Sequence, residues 1–592
     1  MKKINVKYVI LTILSIFAFS LEIGVGSFEF NQLIFVLAAI GLYMVFEYNK
    51  GEKISKTILL LAFLLSFSTL IGHCFTISKD IEILYSSLFK IIRSILILIG
   101  YSIFYTEILL LLKKLFEKSK MKDINNSLLD KIFNKHAFIY PVIILLVCYL
   151  PILIAFYPGN TTSDGNDELH QYYHQHSWTL NYINLIDENV YINGHHSPFH
   201  AYIIGSISNL GNKISSANMG LFLNIIAQLF LALSVFGYLF IIFKRLKIPK
   251  QYRLFTLLFL AICPFFNIYI VTLIKDIPFV CILLLYSCLI VNIVTLKNNN
   301  YKNIFGLILV SILLALINNK GIYIVFLTSL FLLLTNKNEW KKYLLVLLIP
   351  LLLYTGYTKV VLPALKVTPG GKQEILAIPI QQISNCVIEH RNDISIQDET
   401  NIRVMLDYDN LEKDYDPFLV DPVKKNFNKD HTKEDLIAFG TTWGRLFLKY
   451  PESYIESSLS LASKSFYTGR KYIAYWDLRP KRKTIKEMEF SKPIFTHKLS
   501  MIIKKLYLNF YKIPVLNLFV IAPIFVWGII IMAVYITKKY GIRKISCFIP
   551  AIVVILFLFL SPASGNNRYL LPLVWCFPLL FGYIIYLKQN DN

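Results

Sequence analysis

The sequence predicts an all-α polytopic membrane protein with about fourteen transmembrane helices and a mostly helical extracytoplasmic domain. Hydrophobic residues make up 55% of the 592 positions and charged residues only 16%, which is too apolar for a soluble chain to cover its own surface. The net charge of +23 comes largely from basic clusters in short loops between apolar runs. Such clusters are typical of cytoplasmic loops, so we expect a lipid bilayer as partner and no nucleic acid.

Apolar runs of roughly membrane-spanning length recur along the whole chain. They lie near residues 8–24, 30–48, 55–77, 87–112, 136–157, 218–243, 252–271, 278–296, 303–318, 321–335, 343–358, 513–537, 546–562 and 569–587. The first run follows a basic start as in a signal peptide, but further apolar runs follow at once, which favours an uncleaved first helix. The runs at 303–318 and 321–335 are short, and we interpret them as a broken pair.

Basic residues fall on alternate loops. Lysines or arginines precede the first run and follow the second, fourth, sixth, eighth, tenth and twelfth runs, or lie in the adjoining connections. If the spans alternate, all these clusters share one side, which the positive-inside rule makes the cytoplasm. We therefore expect a multi-pass protein of the cell membrane with both termini cytoplasmic.

Four regions follow from this pattern. They are a four-helix transmembrane module at 1–135, a transmembrane core at 136–358 whose first outer loop is 158–217, an extracytoplasmic domain at 359–512 and C-terminal transmembrane helices at 513–592. Within the extracytoplasmic domain, the segment from Trp443 to Tyr467 has the aromatic and leucine spacing of two amphipathic helices. We expect these helices at the membrane surface.

The polar stretch from Tyr157 to His200 is the strongest candidate for a site, because so many titratable groups beside a membrane span are costly unless they lie at a surface or line a wet cavity. Asp164 and Asp167 are three positions apart, which places both carboxylates on one face of a helix. A carboxylate there can act as a general base. The alternative is that these residues cap a short surface helix.

Histidines are concentrated in the same stretch. His170 and His174 are four positions apart, as are His196 and His200, so a divalent metal is one possibility together with Asp164 or Asp167. No complete ligand motif is present, so we assign no metal ligand, and no cofactor is established. The alternative is that His196 and His200 hydrogen-bond a substrate or the loop itself.

Charged residues also interrupt the apolar runs at three outer positions. Lys275 and Asp276 stand between two runs, Lys320 lies in NNKGIY and Arg568 in NNRYLLP. We interpret Asp276 as a further catalytic carboxylate, and Lys275, Lys320 and Arg568 as cations for a phosphate. The alternatives are an ion pair between Lys275 and Asp276 and cations that merely extend to the membrane surface.

Taken together, these motifs resemble the GT-C superfamily of integral-membrane glycosyltransferases, and their order is similar to that of a bacterial multi-pass family within it. The resemblance covers roughly residues 136–587 and is carried by YPGNTTSD, HHSPFH, PFFNIYIVTLIKDIPF, NNKGIY, LAIPIQQIS, the stretch from Trp443 to Pro451, and NNRYLLPLVWCFP. It departs from the family pattern at Lys320, where an arginine is usual, and at the additional Ser197 in HHSPFH.

The resemblance implies an inverting glycosyltransferase that moves a sugar from a polyprenyl-phosphate donor to a cell-envelope glycan, lipid or protein at the outer face of the membrane. It implies a catalytic role for Asp164, with Asp167 and Asp276 in support, and places Gln381 and Gln382 among the substrate-binding residues. Two alternatives are a transporter or flippase for a lipid-linked glycan, which favours charges at mid-span, and a polysaccharide polymerase that depends mainly on the outer cations.

Overall fold

The computed structural model describes residues 5–20, 32–119, 123–469, 485–510, 512–513 and 515–591. Almost every regular element among them is a helix, and the first four lie in the N-terminal region. They are α1 (Val6–Ser20), α2 (Gln32–Tyr48), α3 (Lys56–Ile77) and α4 (Leu88–Lys118). A 3-10 turn at Ile81–Leu84 joins α3 to α4, and a short α5 (Ser127–Asp130) with a π-helical turn at Lys131–Lys135 follows.

The second region contains most of the buried apolar surface. Its first helices are α6 (Ile139–Ala155), α7 (Ser163–Tyr172), α8 (Pro198–Ile214), α9 (Ala217–Arg245), α10 (Lys250–Ile262) and α11 (Pro264–Ile270). They are followed by α12 (Asp276–Ile290), α13 (Tyr301–Ile317), α14 (Lys320–Thr335), α15 (Trp340–Gly356) and a short α16 (Leu362–Ala364). π-Helical turns at Val291–Thr295 and Tyr357–Val361 extend α12 and α15.

The region from 359 to 512 is helical, as predicted. It contains α17 (Ala377–His390), α18 (Ile396–Met405), α19 (Leu411–Asp414), α20 (Asp421–Lys424), α21 (Lys433–Lys449), α22 (Pro451–Phe466) and α23 (Ile494–Phe510). Side chains from 377 to 461, among them Val387, Phe439 and Leu461, form a hydrophobic core of their own. We call the segment 366–466, which contains this core and lies in the region predicted to be extracytoplasmic, the outer domain.

Three helices complete the described chain, and two short strands lie beside the candidate site. The helices are α24 (Ala522–Tyr540), α25 (Ile549–Leu558) and α26 (Asn567–Gln589). The strands β1 (Asn160–Thr161) and β2 (Thr272–Leu273) pair in parallel, Asn160 opposite Thr272 and Thr161 opposite Leu273. The remaining 3-10 turns are Trp178–Asn181, Lys337–Glu339, Lys372–Glu374, Arg391–Asp393, Tyr408–Asn410, Lys486–Met488, Leu516–Phe519 and Ile542–Phe548.

The described helices are those of a polytopic membrane protein. Seven are long and apolar enough to cross a bilayer, and the number rises to nine if each of two bent helix pairs is one span. Large apolar side chains such as Leu37, Ile143 and Leu352 are exposed on them, as expected for surfaces that face lipid. Every predicted apolar run within the described residues contains a helix, but α1, α2, α13, α14 and α25 are shorter than a full span, so the number fourteen stays a prediction.

The broken helix lies elsewhere than predicted. α13 and α14 are separate helices joined at Asn318 and Asn319, and the pair bent by 46° is α10 with α11, at 250–270. The break falls at Cys263-Pro264, where the proline ring lacks the N–H that a continuous helix requires. The second bent pair, Ser127–Lys135 with α6, turns by 101°.

The amphipathic helix pair predicted from Trp443 to Tyr467 is present as α21 and α22, although α21 begins ten residues earlier, at Lys433. Their position on the membrane surface stays a prediction, while α22, the last helix of the outer domain, packs against α3 and α24. Its end is held by Ser68 and Trp527, whose side chains both donate hydrogen bonds to the carbonyl of Phe466.

Candidate functional site

The short parallel strands bring the first outer loop to the link between α11 and α12. The backbone N–H of Asn160 donates to the carbonyl of Val271, and the Thr162 hydroxyl accepts from the N–H of Gly165 at the start of α7. Thr162 is therefore the N-cap, so the interpretation of Asp164 as a helix cap is wrong. A Cβ on Gly165 would lie 2.5 Å from the carbonyl oxygen of Leu273, so only glycine permits α7 to approach β2 this closely.

Asp164 is held by Arg568 from the other end of the chain. Arg568 Nη1 donates to Asp164 Oδ2 at 2.7 Å, and the two side chains are 16% and 13% exposed. Burial by itself would raise the pKa of Asp164, but the positive charges of Arg568 and Lys275 outweigh it and hold that pKa well below its usual range. Asp164 is thus fully ionised and a weak base as long as Arg568 binds it.

Lys275, His196 and Asp167 form a chain of polar contacts beside this pair. Lys275 Nζ lies 2.6 Å from His196 Nδ1, and His196 Nε2 lies 3.3 Å from Asp167 Oδ2. Because an ammonium group only donates hydrogen bonds, Nδ1 accepts and the ring proton is on Nε2, facing the carboxylate. Gln171 Nε2 donates to the same Asp167 oxygen at 2.7 Å. His196 Nε2 makes no hydrogen bond to a described residue, so Asp167 acts on His196 only as a neighbouring charge, while His196 Nδ1 positions Lys275.

Asp276 is the other carboxylate of the cluster. It is the first residue of α12 and only 7% exposed, and its Oδ2 makes no hydrogen bond to any residue that the structure describes. The charged groups that act on it most strongly are Arg568, Lys275, Asp164 and Lys320. The predicted ion pair between Asp276 and Lys275 is not found among the described contacts, since Lys275 turns to His196 instead.

Tyr569 links the two remaining cations. Its ring centroid is 4.8 Å from Lys320 Nζ and 5.0 Å from the Arg568 guanidinium carbon, and its hydroxyl accepts from Arg568 Nη2 at 3.1 Å. Both cations therefore lie against one aromatic ring, rather than extending freely to the membrane surface. The sequence contained a signal for this residue, since Tyr569 directly follows Arg568, but our sequence analysis did not select it.

Glu168 is a further acidic residue that the sequence analysis missed. Its side chain is fully buried, and Oε2 lies 2.7 Å from His200 Nδ1. Burial raises the pKa of Glu168, but the charge and the hydrogen bond of His200, together with the charges of His196 and Lys275, lower it more, so the net shift is downward. This pair joins α7 to α8, which gives His200 a structural partner instead of a free face towards a substrate.

Ser197, the additional residue in HHSPFH, has a local structural role. Its hydroxyl accepts from the backbone N–H of His200, which caps α8, and donates to the carbonyl of Leu316 at the end of α13. The serine thus fixes the start of α8 against the transmembrane helices. His196, one residue earlier, is held in place next to Lys275 as a result.

The outer domain is seated directly over this loop. Gly194 N donates to the carbonyl of Thr368, Lys424 Nζ lies 2.8 Å from Glu374 Oε1, and Glu374 Oε1 lies 3.7 Å from His195 Nδ1. On its other side, Val420 N donates to the carbonyl of Pro562, shortly before α26 begins. The outer domain therefore contacts both segments that carry the Asp164–Arg568 pair.

Gln381 and Gln382 lie inside the outer domain and not in the charged cluster. Gln381 Nε2 donates to the carbonyl of Asp416, while Gln382 exchanges hydrogen bonds with Ser458 and Trp443. These contacts connect α17 to its neighbours within the domain. We therefore leave both glutamines out of the site.

A metal site is not supported. Within the described ranges, no group of three or more His, Cys, Asp or Glu side chains is arranged to hold a metal ion. The histidines considered as ligands are engaged elsewhere: His196 contacts Lys275 and Asp167, His200 contacts Glu168, and His174 Nδ1 lies 3.1 Å from the carbonyl of Asn189.

A cavity of about 490 Å³ lies away from these charges. It is lined almost entirely by apolar side chains of α10, α24 and α26, among them Phe255, Phe259, Phe577 and Phe581. Phe577 and Phe581 point to the side of α26 opposite Arg568, given 3.6 residues per turn. This cavity is therefore separate from the charged cluster.

The comparison with known families identifies the chain over nearly its whole length. Residues 44–591 match a family described as being of unknown function, DUF6020. The protein belongs to this family. The match begins near the end of α2, so α3 and α4 are part of the family unit, whereas the resemblance described above starts only near residue 136. No curated protein and no solved structure matches the chain.

Proposed function

We propose that the protein is a glycosyltransferase that moves a sugar from a polyprenyl-phosphate donor to a cell-envelope acceptor at the outer face of the membrane. The observation that carries this proposal is the cluster of Asp164, Asp276, Lys275, Lys320 and Arg568, drawn from four distant parts of the chain. Transfer from a lipid phosphate requires a base for the attacking hydroxyl and positive charge for the departing phosphate. The cluster contains both.

The directions of α12, α14 and α26 also favour the binding of a phosphate at this cluster. Asp276, Lys320 and Arg568 lie in the first turns of α12, α14 and α26, and the N-terminus of a helix carries partial positive charge. Cations at such positions are opposed by the helix dipole, so Lys320 and Arg568 are not placed there for helix stability. An anion between them would be stabilised by the side chains and by the helix ends together.

The charges also match the donor. The three cations exceed the two carboxylates by one positive charge, and a sugar linked to a lipid through one phosphate carries one negative charge. When the bond between sugar and phosphate breaks, the phosphate takes the electron pair and gains a second negative charge. The three helix ends and Lys275 are placed to stabilise that added charge.

Asp164 is the base in this proposal. A donor phosphate near Arg568 would offer the guanidinium a second anionic partner and weaken its hold on Asp164, so the pKa of this carboxyl would rise towards its ordinary value. The acceptor hydroxyl then attacks the anomeric carbon, its proton passes to Asp164, and the lipid phosphate leaves. Asp276 supports the site through its charge, while His196 positions Lys275 and Asp167 acts on His196 as a neighbouring charge.

The full topology belongs to the same proposal. With fourteen alternating spans and both termini cytoplasmic, the starts of α12, α14 and α26 all fall on the outer side. The meeting of their first-turn side chains supports this alternation, because an odd number of crossings between any two of them would separate those residues by the thickness of the membrane. The GT-C-like core is then 136–358 together with the C-terminal helices.

The decisive experiment replaces Asp164 with asparagine and measures sugar transfer from polyprenyl-phosphate donors in isolated membranes, with envelope glycans read by mass spectrometry. We expect Asp164→Asn to lower the transfer rate by about 10²-fold to 10⁴-fold, the usual contribution of a general base. Asp393→Asn, the same change at an exposed position of the outer domain, is the control and should retain full activity. Full transfer by a normally expressed Asp164→Asn protein would exclude the proposed base.

A further inference from the structure

Several polar atoms without hydrogen bonds are concentrated around Trp178, in the first outer loop. Trp178 Nε1, His195 Nδ1 and both amide atoms of Gln373 are buried and make no hydrogen bond to any described residue. Each such atom costs about 1–3 kcal/mol when it is left unpaired, and folded proteins contain few of them. Their concentration at one place indicates a site that hydrogen-bonds a ligand.

These atoms belong to side chains that contact one another or adjoin in sequence. The Trp178 ring lies edge-on to His195 and His196, with centroids 4.8 Å and 6.1 Å away. His195 Nδ1 lies 3.7 Å from Glu374 Oε1, and Gln373 precedes Glu374 in the same 3-10 turn. The first outer loop thus lies on one side of this group of unpaired polar atoms, and the outer domain lies on the other side.

One glycine contact joins the first outer loop to the outer domain, and a second places the Gln373 amide. A Cβ on Gly194 would lie 2.8 Å from the backbone nitrogen of Gly370, and a Cβ on Gly371 would lie 2.0 Å from Gln373 Oε1. The Gln373 amide therefore folds back over the turn that covers the loop before His195. Its side chain is fully buried, so its two free amide atoms face inward and not towards bulk water.

Exposure decreases from Glu374 at the surface to Asp167 in the first outer loop. The side chains of Glu374, His195, His196 and Asp167 are 33%, 7%, 2% and 0% exposed. His196 is also the contact of Lys275, at 2.6 Å. Through His196, the residues that carry the unpaired polar atoms thus adjoin Lys275, one of the cations that we assign to the donor phosphate.

The side chains around the unpaired polar atoms favour an uncharged ligand. Glu374 lies 2.8 Å from Lys424 and Asp167 lies 3.3 Å from His196. The carboxylate oxygens Asp167 Oδ1 and Glu374 Oε1, which make no hydrogen bond to a described residue, can accept from hydroxyl groups but would repel an anion. Burial, with the nearby positive charges, holds the pKa of His195 well below its usual value, so this ring is neutral. The groups that remain are neutral donors and acceptors beside an aromatic ring. Sugar hydroxyls match such donors and acceptors, and the C–H face of a pyranose packs against an aromatic ring.

We propose that Trp178, His195 and Gln373 form a binding subsite for a neutral sugar ring, next to the carboxylate–cation cluster. The assignment of this ring to a reactant rests on the proposed transferase function. The ring belongs either to the donor or to the acceptor, and both present the same chemistry to these side chains. Trp178 supplies the flat surface and an N–H donor, and Gln373 supplies one donor and one acceptor.

Saturation-transfer difference NMR on the full-length protein in lipid nanodiscs tests this subsite without turnover. The probes are D-glucose, D-mannose and N-acetyl-D-glucosamine, with acyclic sorbitol as the control. We expect saturation of the ring protons of at least one pyranose and none of sorbitol. Trp178→Phe keeps an aromatic ring but loses the N–H, so affinity should fall about 3-fold to 10-fold, the value of one hydrogen bond. Trp178→Ala should abolish the signal.

A matched control is Trp340→Phe, since Trp340 is exposed on α15, and this variant should bind the sugar as the wild type does. Absence of any pyranose signal above sorbitol would overturn the subsite, and so would equal signals in the wild type and Trp178→Phe. Adding polyprenyl-phosphate-linked mannose separates the two sources: competition assigns the subsite to the donor ring, and persistence of the signal assigns it to the acceptor ring.

The result is also separable from the transferase proposal. Asp164→Asn should lose transfer but keep the saturation signal, because Asp164 lies outside the subsite. Trp178-dependent sugar binding in a protein without transfer activity would retain the subsite and reject the transferase. Transfer that does not depend on Trp178 would reject the subsite and retain the transferase.

Discussion

The ion pair between Arg568 and Asp164 joins residues 404 positions apart. Both side chains are largely buried, and a buried ion pair contributes little net stability because desolvation offsets most of the attraction. Removing one partner is different, since it leaves a buried charge without compensation. The pair is therefore better explained by the chemistry of the site than by the stability of the fold.

A double-mutant cycle on this pair measures that cost. Arg568→Gln should destabilise the protein by about 3–5 kcal/mol because it strands the Asp164 carboxylate. The double variant Asp164→Asn with Arg568→Gln should recover most of the loss. The measurement is the unfolding midpoint in detergent by intrinsic fluorescence.

The matched control for this cycle is the exposed pair of Arg403 and Asp409 on the outer domain. Exposed pairs contribute about 0–1 kcal/mol, so Arg403→Gln should change the midpoint little. If Arg568→Gln costs no more than Arg403→Gln, the interpretation of the Asp164 pair as a coupled buried unit is wrong.

Among the secondary-structure elements, the strands β1 and β2 are the shortest, and their pairing brings together two segments that carry residues of the site. Two residues on each strand pair in parallel, and Gln228 of α9 donates to the carbonyls of Ile270 and Thr272 just before Lys275. Such short strands have no detectable alternation in the sequence. Sequence patterns could therefore predict the helices α6 and α12. They could not predict that the segment after α6 contacts the segment before α12.

The contact between α22 and the turn at Ile81–Leu84 has a measurable pH dependence. Glu456 accepts a hydrogen bond from the backbone N–H of Ile81 at 2.9 Å. Burial raises the pKa of Glu456 to about 7, and the nearby carboxylates of Glu389 and Asp80 add to the rise, although the bond from Ile81 opposes it. An acid whose pKa is raised on folding destabilises the folded state as pH rises from its unfolded value, here 4.5, to about 7.

Glu456→Gln should therefore raise the thermal unfolding midpoint at pH 8, by on the order of 2 °C, and leave it unchanged below pH 4.5. The amide oxygen can still accept from Ile81, so the hydrogen bond is retained while the charge is removed. Glu452→Gln, on the same helix but with a side chain 62% exposed, is the control and should shift the midpoint at neither pH. An equal gain for Glu456→Gln at both pH values would contradict the assigned cause.

At the scale of the whole molecule, charge and hydropathy divide the chain into two sides. α12 and α26 are central, with 83% of the apolar stretch of each buried inside the protein, and their N-terminal ends carry Asp276 and Arg568. The outer domain contacts the loops that lead into both ends of the Asp164–Arg568 pair. Such an arrangement keeps bulk water from the cluster, which strengthens electrostatic interactions within it.

Cysteine labelling tests the two sides. Seven of the eight natural cysteines are buried, and Cys148 lies on the apolar α6, so the wild type should give little background with a membrane-impermeant maleimide. Glu434→Cys in the outer domain should be labelled in intact cells. Lys53→Cys, in the connection between α2 and α3, should be labelled only after permeabilisation. The reverse pattern would place the cluster on the cytoplasmic side and exclude an outer-face reaction.

The candidate site was predictable in its residue types but not in its pairings. Asp164, Lys275, Asp276, Lys320 and Arg568 all stand out in the sequence because charges beside apolar runs are rare. The sequence did not show that Arg568 binds Asp164, that Lys275 turns to His196, or that Gln381 and Gln382 are used within the outer domain. It also gave no sign that Trp178 and Gln373 lie on two walls of one site.

By itself, the sequence determined that this is a helical membrane protein, where most of its helices lie, and which of its charges stand at helix ends. These properties depend on the local density of apolar residues along the chain, because a helix needs about 20 mostly apolar residues to cross a bilayer. Only the tertiary structure decided which carboxylate faces which cation and which histidines are engaged. Those pairings depend on the packing of helices hundreds of residues apart and on the direction of each side chain, and neither is encoded in local composition.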